Sequence, residues 1–172
     1  MTAPTLRGER IELRATSPVD LDELQRIVST PEVARWWNPH TRAQLDEWLA
    51  DHDARHWTIR VAGATAGHIQ ATEENEPDFR HAGIDLFLDP DFHGRGLGRE
   101  CVRVVAKWLL DERGHHRIVI DPAAANVGAI RCYEAVGFQR VGVMRSYWFD
   151  RTVEQWVDGL LLDLLRGELR GR

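Results

Sequence analysis

The stretch that most constrains this chain runs from Gly83 to Phe138. Gly83–Leu88 (GIDLFL) is apolar enough for a strand. It leads through Phe92-His93-Gly94-Arg95-Gly96-Leu97-Gly98 into Gly98–Glu112, where Val102, Val105, Ala106, Leu109 and Leu110 recur with a helical period. Arg117–Ile120 is a short strand ending at Asp121-Pro122, and Asn126–Val136 is a helix stopped by Gly137. A strand, glycine loop, helix, strand, helix unit therefore sits at the centre of the chain.

The loop has its own chemistry. Glycines at 94, 96 and 98 let backbone N–H groups approach a ligand without a Cβ in the way. Those groups, with the positive end of the following helix, form an anion site whose natural occupant is a diphosphate. The loop is not a Walker A motif, because no Gly-Lys-Ser/Thr follows. It is not a dinucleotide fingerprint either, since Arg99 stands where the third glycine is needed. A tight turn that needs glycine only for packing remains open on these residues alone.

Around this unit the pattern predicts strands over Arg10–Ala15, His56–Val61, Thr65–Ala71, Phe138–Phe149 and about Thr152–Leu164. Helices are expected over Leu21–Ser29, capped by Asp20, and from Thr41 to about Asp51. Pro31, Trp36, Trp37 and Pro39 read as a loop between them. The tail from Thr152 is rich in leucine but carries Gly159, and is read as a strand.

Length and charge set outer bounds. A chain of 172 residues suits one domain, here residues 1–172. The balance is 22 basic against 27 acidic residues, net −5. An acidic chain whose only lysine is Lys107 is a poor partner for nucleic acid. No apolar run is long enough to span a bilayer, and MTAPTLRGER has no apolar signal core, so no membrane association and a cytoplasmic location are expected. The two cysteines, Cys101 and Cys132, sit in apolar helical patterns and read as buried reduced thiols. His52 with His56, and His115 with His116, lack a third ligand, so no metal is expected.

The second constellation is Asp121, Asn126, Ala129 and Tyr133. Ala129 and Tyr133, four apart, share a helix face near its start. A phenol there, beside a strand end carrying Asp121, suits proton transfer. Spacing alone leaves Tyr133 open to a core role and Asp121 to a turn role.

HGRGLG after a strand, followed by N-x-x-A-I-R-C-Y-E-x-x-G-F, resembles the GNAT acyl-CoA N-acyltransferases over about Leu6 to Leu165. Within that superfamily, three segments are similar to aminoglycoside 6'-N-acetyltransferases. They are Val33–Trp37 (VARWW), Glu73–Asp85 (EENEPDFRHAGID) and Asp121–Phe138. The resemblance implies an α/β (α+β) fold with a mixed, twisted sheet of six to seven strands and about four helices. It also implies a V-shaped opening between the fourth and fifth strands. Acetyl-CoA is the implied cosubstrate, contacting Leu86, Phe87 and Leu88, then His93, Gly94, Arg95, Gly96, Leu97, Gly98 and Arg99, and finally Asn126, Ala129 and Tyr133. His93 departs from the Gln or Arg usual at its position. Trp36, Trp37, Glu73, Glu74 and Asp85 are the implied acceptor residues. Asp121 is the expected base, Asp85 is the second candidate for that role and is otherwise expected to position the ammonium by charge, and Tyr133 is the expected acid.

The implied acceptor is a small cationic amine, an aminoglycoside or aminosugar. The alternatives are a protein N-terminal acetyltransferase of the ribosomal-protein type and a non-catalytic acyl-CoA-binding module. The protein is expected to be a monomer or a homodimer.

Overall fold

Burial along β3 (Ala54–Val61) shows how the sheet is placed. Trp57 and Ile59 are fully buried with the cluster on one face, while His56 and Thr58 are buried on the other. Both faces are therefore covered by helices. The computed structural model describes residues 3–51 and 53–171, so His52 lies outside the described residues.

The remaining strands are β1 (Leu6–Arg7), β2 (Glu12–Ala15), β4 (Ala64–Glu74), β5 (His81–Leu88), β6 (Arg117–Ile120), β7 (Gln139–Asp150) and β8 (Gln155–Leu165). The helices are α1 (Leu21–Val28), α2 (Pro31–Trp37), α3 (Arg42–Leu49), α4 (Leu97–Asp111) and α5 (Val127–Val136). The described residues thus form an eight-stranded sheet with five helices, one strand and one helix more than the upper expectations. The expected tail strand is β8.

The sheet order is β1-β2-β3-β4-β5-β6-β8-β7, antiparallel except at β5 and β6. Those two pair only at Ala82–Ile118 and Gly83–Val119. Beyond Gly83, β5 keeps its bonds to β4 but leaves its other edge unpaired, which is the V-shaped opening. The two-residue β1 advances the strand count by one, so the expected fourth and fifth strands are β5 and β6.

Two cores hold this arrangement. On one face α4 buries Cys101, Val102, Val105, Ala106 and Leu109 completely. On the other, Leu21, Leu24, Ile27 and Val28 of α1 pack with Phe87 of β5. Hydrophobic burial drives both, at about 25 cal/mol per Å² of apolar surface.

Three local expectations need correction. Residues 31–37 form a helix and not a loop. Pro31 stands in its first turn, where a missing N–H costs nothing, and Asn38 ends it at φ 56°. Asp20 precedes α1 but does not cap it through its side chain. Its carboxylate instead takes the Ser17 N–H and hydroxyl, both at 2.9 Å, and pairs with Arg14 at 2.5 Å. Cys101 is buried, but Cys132 is only half-buried. Among the described residues, no helix is long and apolar enough to cross a membrane.

Candidate active site

The opening leads into a cleft of about 1110 Å³. Its first wall is the unpaired edge of β5. The Asp89 N–H donates to the Ala66 carbonyl at 2.8 Å, which fixes the pleat. Backbone groups of Asp85 and Phe87 then face β4, and those of Leu86 and Leu88 face the opening. Side chains already occupy both of the carbonyls on that side. Trp37 Nε1 donates to Leu86 O at 3.0 Å, and His93 Nε2 lies 2.8 Å from Leu88 O. Facing a carbonyl, that ring nitrogen must carry the proton. The edge therefore presents N–H donors, which suit the amide carbonyls of a pantetheine arm. This contact also gives His93 a definite task in ordering the loop.

The second wall is the glycine loop. Gly94 and Gly96 have φ of 72° and 75°, a left-handed backbone that side chains rarely adopt. Gly96 opens α4, so the first amides of the helix lack intrahelical acceptors. Arg10 ties the loop down, donating to Arg95 O at 2.8 Å and to Glu100 Oε2 at 2.9 Å. Gly94, Gly96, Leu97, Gly98 and Arg99 line the cleft. Arg95 is not among the lining residues, and its guanidinium lies over the Phe92 ring at 5.5 Å.

The third wall is α5. Asn126 Oδ1 accepts the Ala129 N–H at 3.1 Å and so caps the helix, while its NH₂ group keeps both donors for a ligand. Asn126, Ala129, Cys132 and Tyr133 line the cleft. Tyr133 is 7% exposed, and burial pushes its phenol well above the usual range.

Opposite lies a polar end. Trp48 Nε1 donates to Gln70 Oε1 at 2.7 Å, and Gln70 Nε2 donates to Asp85 Oδ2 at 3.1 Å. Burial pushes the Asp85 carboxyl up to about 6, the Gln70 bond opposes this, and the nearby Asp121 charge adds to it. Asp121 is also raised by burial, and the Tyr147 hydroxyl that donates to it works the other way. Trp36, with Arg35 stacked 4.3 Å over its ring, and Trp37, edge-on to Phe87 at 5.1 Å, complete this end.

The structure does not bring Glu73 and Glu74 to this site. Glu73 is half-buried, with its carboxylate covered in an ion cluster with Arg113 at 3.0 Å, His115 at 2.8 Å and Arg55 at 3.2 Å. Burial raises its carboxyl, but the bonds from His115 and Arg113 prevail and hold it below its ordinary value. Glu74 is exposed and accepts the Glu76 N–H at 2.8 Å. Asp89 pairs with Arg26. Of the seven acids between Glu73 and Asp91, only Asp85 lines the cleft. Sequence reasoning missed Arg10, Gln70 and Tyr147. Tyr147 had a faint signal as one of two tyrosines in the chain. Among the described residues, no group of three or more His, Cys, Asp or Glu side chains is placed to hold a metal ion.

Comparison with known proteins gives this geometry a context. Residues 10–139 match the family described as the acetyltransferase (GNAT) domain. The chain is 28% identical over 163 residues to aminoglycoside N(6')-acetyltransferase type 1 of Klebsiella pneumoniae, covering 83% of this chain and 80% of that protein. It is 29% identical over 112 residues to N-alpha-acetyltransferase RimI of Mycobacterium tuberculosis, covering 64% and 68%. The solved structure of AAC(6')-Ib in complex with paromomycin and acetyl-CoA superimposes with a TM-score of 0.76 at 26% identity, over 92% of this chain and 94% of that one.

Proposed function

Because the chain belongs to the GNAT acetyltransferase family, whose cosubstrate is acetyl-CoA, we propose that it acetylates a primary amine of a small cationic acceptor of the aminoglycoside or aminosugar class. One observation carries this reading. A strand edge that presents donors adjoins a polar end holding two carboxyl groups, Asp85 and Asp121. The likeness to the Klebsiella enzyme supports the acceptor class.

When bound, acetyl-CoA supplies a reactive thioester. The chain's own residues do the rest. The edge N–H groups of β5 receive the arm, and the amides of Leu97–Arg99 receive the diphosphate. An ammonium has no lone pair, so Asp121 takes its proton, directly or through one water. Asp85, held by Gln70, attracts and orients the cation. A β5 N–H stabilises the oxygen on which negative charge develops. Tyr133 keeps its proton at cleft pH and gives it to the departing sulfur. Holding both reactants together supplies proximity, so no cysteine nucleophile is needed.

The RimI likeness favours a second reading, acetylation of a protein N-terminus. Incubation with acetyl-CoA and kanamycin, spermidine or N-terminal peptides, read by mass spectrometry, separates the two. Acetylation of kanamycin supports the proposal. Acetylation of peptides without any amine antibiotic or polyamine overturns it in favour of the second.

A further inference from the structure

We infer that Tyr147 is a positioning residue for the base, seated by a bulge in β7 on the bare backbone of Gly159 so that its hydroxyl holds the Asp121 carboxylate. This rests on Asp121 being the base of the proposed reaction.

Three features aim this side chain, the first two belonging to one bulge. First, β7 and β8 lose register between Met144–Gly159 and Trp148–Val157, so Arg145, Ser146 and Tyr147 stand opposite Asp158 alone. Second, Ser146 takes a left-handed backbone at φ 49°, unusual for a residue with a side chain, and its N–H donates to Asp158 Oδ1 at 2.8 Å. Third, a Cβ at Gly159 would lie 2.6 Å from Tyr147 Cδ1, a distance no real pair of carbons adopts. The ring therefore occupies the space that a side chain at 159 would fill. An interior strand glycine marks such a close approach. The result is that Tyr147, on the outermost strand, reaches back over β8 and donates to Asp121 Oδ2 at the end of β6.

The chemistry follows from the direction of the bond. A base must be ionised before it can accept a proton. A phenol that donates to a carboxylate favours the ionised form and fixes one oxygen, leaving the other for the ammonium. The titratable groups that interact with Asp121 are Asp85 from β5, Tyr133 from α5 and Tyr147 from β7, and Asp158 of β8 stands opposite the bulge that carries Tyr147. Burial disfavours the charge on Asp121, the Asp158 carboxylate is taken by Ser146, and the Tyr147 hydroxyl and a backbone hydrogen bond at Asp121 itself oppose the burial, the side-chain bond from Tyr147 more strongly.

The test needs no knowledge of the acceptor. Carboxyl ¹³C NMR titration, with Asp121 assigned through Asp121→Asn, reads the base directly in the full chain. Tyr147→Phe is expected to move the Asp121 titration up by about one pH unit. Gly159→Ala is expected to move it the same way, and to add nothing in a Tyr147→Ala background, where the ring is gone. With kanamycin and acetyl-CoA, the acid limb of kcat/KM is expected to follow, lowering the rate below that limb by roughly tenfold. An unchanged titration in Tyr147→Phe overturns the inference whatever the acceptor is. A shifted titration combined with full turnover by Asp121→Asn overturns Asp121 as the base and leaves the Tyr147 contact standing.

Discussion

The Trp37 indole N–H donates to the Leu86 carbonyl at 3.0 Å, so the wall proposed to face the acceptor and the strand edge proposed to face the acyl donor are tied by one bond. Trp37→Phe keeps a ring against Phe87 but leaves that carbonyl without its donor. The expected cost is about 1 kcal/mol of stability in urea denaturation, with a lower kcat/KM for the acceptor. Unchanged stability and unchanged kinetics together would show that the bond has no role.

Asp121→Asn removes the proposed base and keeps the shape. Turnover is expected to fall by roughly 10²–10⁴-fold. Isothermal titration should show acetyl-CoA binding retained, because the groups proposed to hold it lie on β5, the glycine loop and α5.

Tyr133→Phe keeps the ring in its buried place and removes only the proton. Rapid-quench single-turnover experiments should show a slower chemical step, by roughly 10²-fold or more. A single-turnover rate equal to that of the parent would return Tyr133 to a packing role.

Asp85 gives a pH dependence with a defined sign. Its carboxyl is pushed up to about 6 from an ordinary 3.8, chiefly by burial. The folded state thus binds this proton more tightly than the unfolded chain does. The contribution to stability is full below about pH 4 and is lost as pH rises through about 6. Asp85→Asn should therefore stabilise the protein at pH 8, by roughly 2–3 kcal/mol, with little effect at pH 4. In the parent protein, KM for a cationic acceptor should rise as pH drops below about 6, where Asp85 becomes neutral.

Glu73→Ala tests the corrected role of the acidic stretch. It leaves Arg55 and Arg113 without this carboxylate, along with a fully buried His115. Removing one partner of a buried ion cluster costs on the order of 3 kcal/mol. Thermal or urea denaturation should show that loss, while KM for the acceptor stays at the parent value under conditions where the variant is folded.

What the chain reveals in one dimension depends on how local the cause is. The glycine loop and the Asn126 cap act within a few residues, so both were legible from their letters. α2 was missed because Pro31 marks a helix start as readily as a loop, and only packing of Val33 and Ala34 against α1 decides between them. The acidic stretch misled for the opposite reason. Its composition is local, but the partners of Glu73 come from β3, from the C-terminal side of α4 and from His115, and no local pattern announces that meeting. Tyr147 lies 26 residues from Asp121 in sequence, and a bulge brings the two together. Gly159, which made the tail ambiguous on paper, proved to be the seat for that tyrosine.

The capped carbonyls of Leu86 and Leu88 have a consequence for what the open sheet cannot do. An unpaired strand edge ordinarily invites another strand, from a neighbouring molecule or an unfolded chain, to extend the sheet. Such an intruder must both donate and accept along its length. With Trp37 and His93 occupying the acceptors, β5 can satisfy only half of that pattern. The edge therefore offers an invading strand fewer free acceptors than a bare edge would, which weakens its pull toward edge-to-edge pairing.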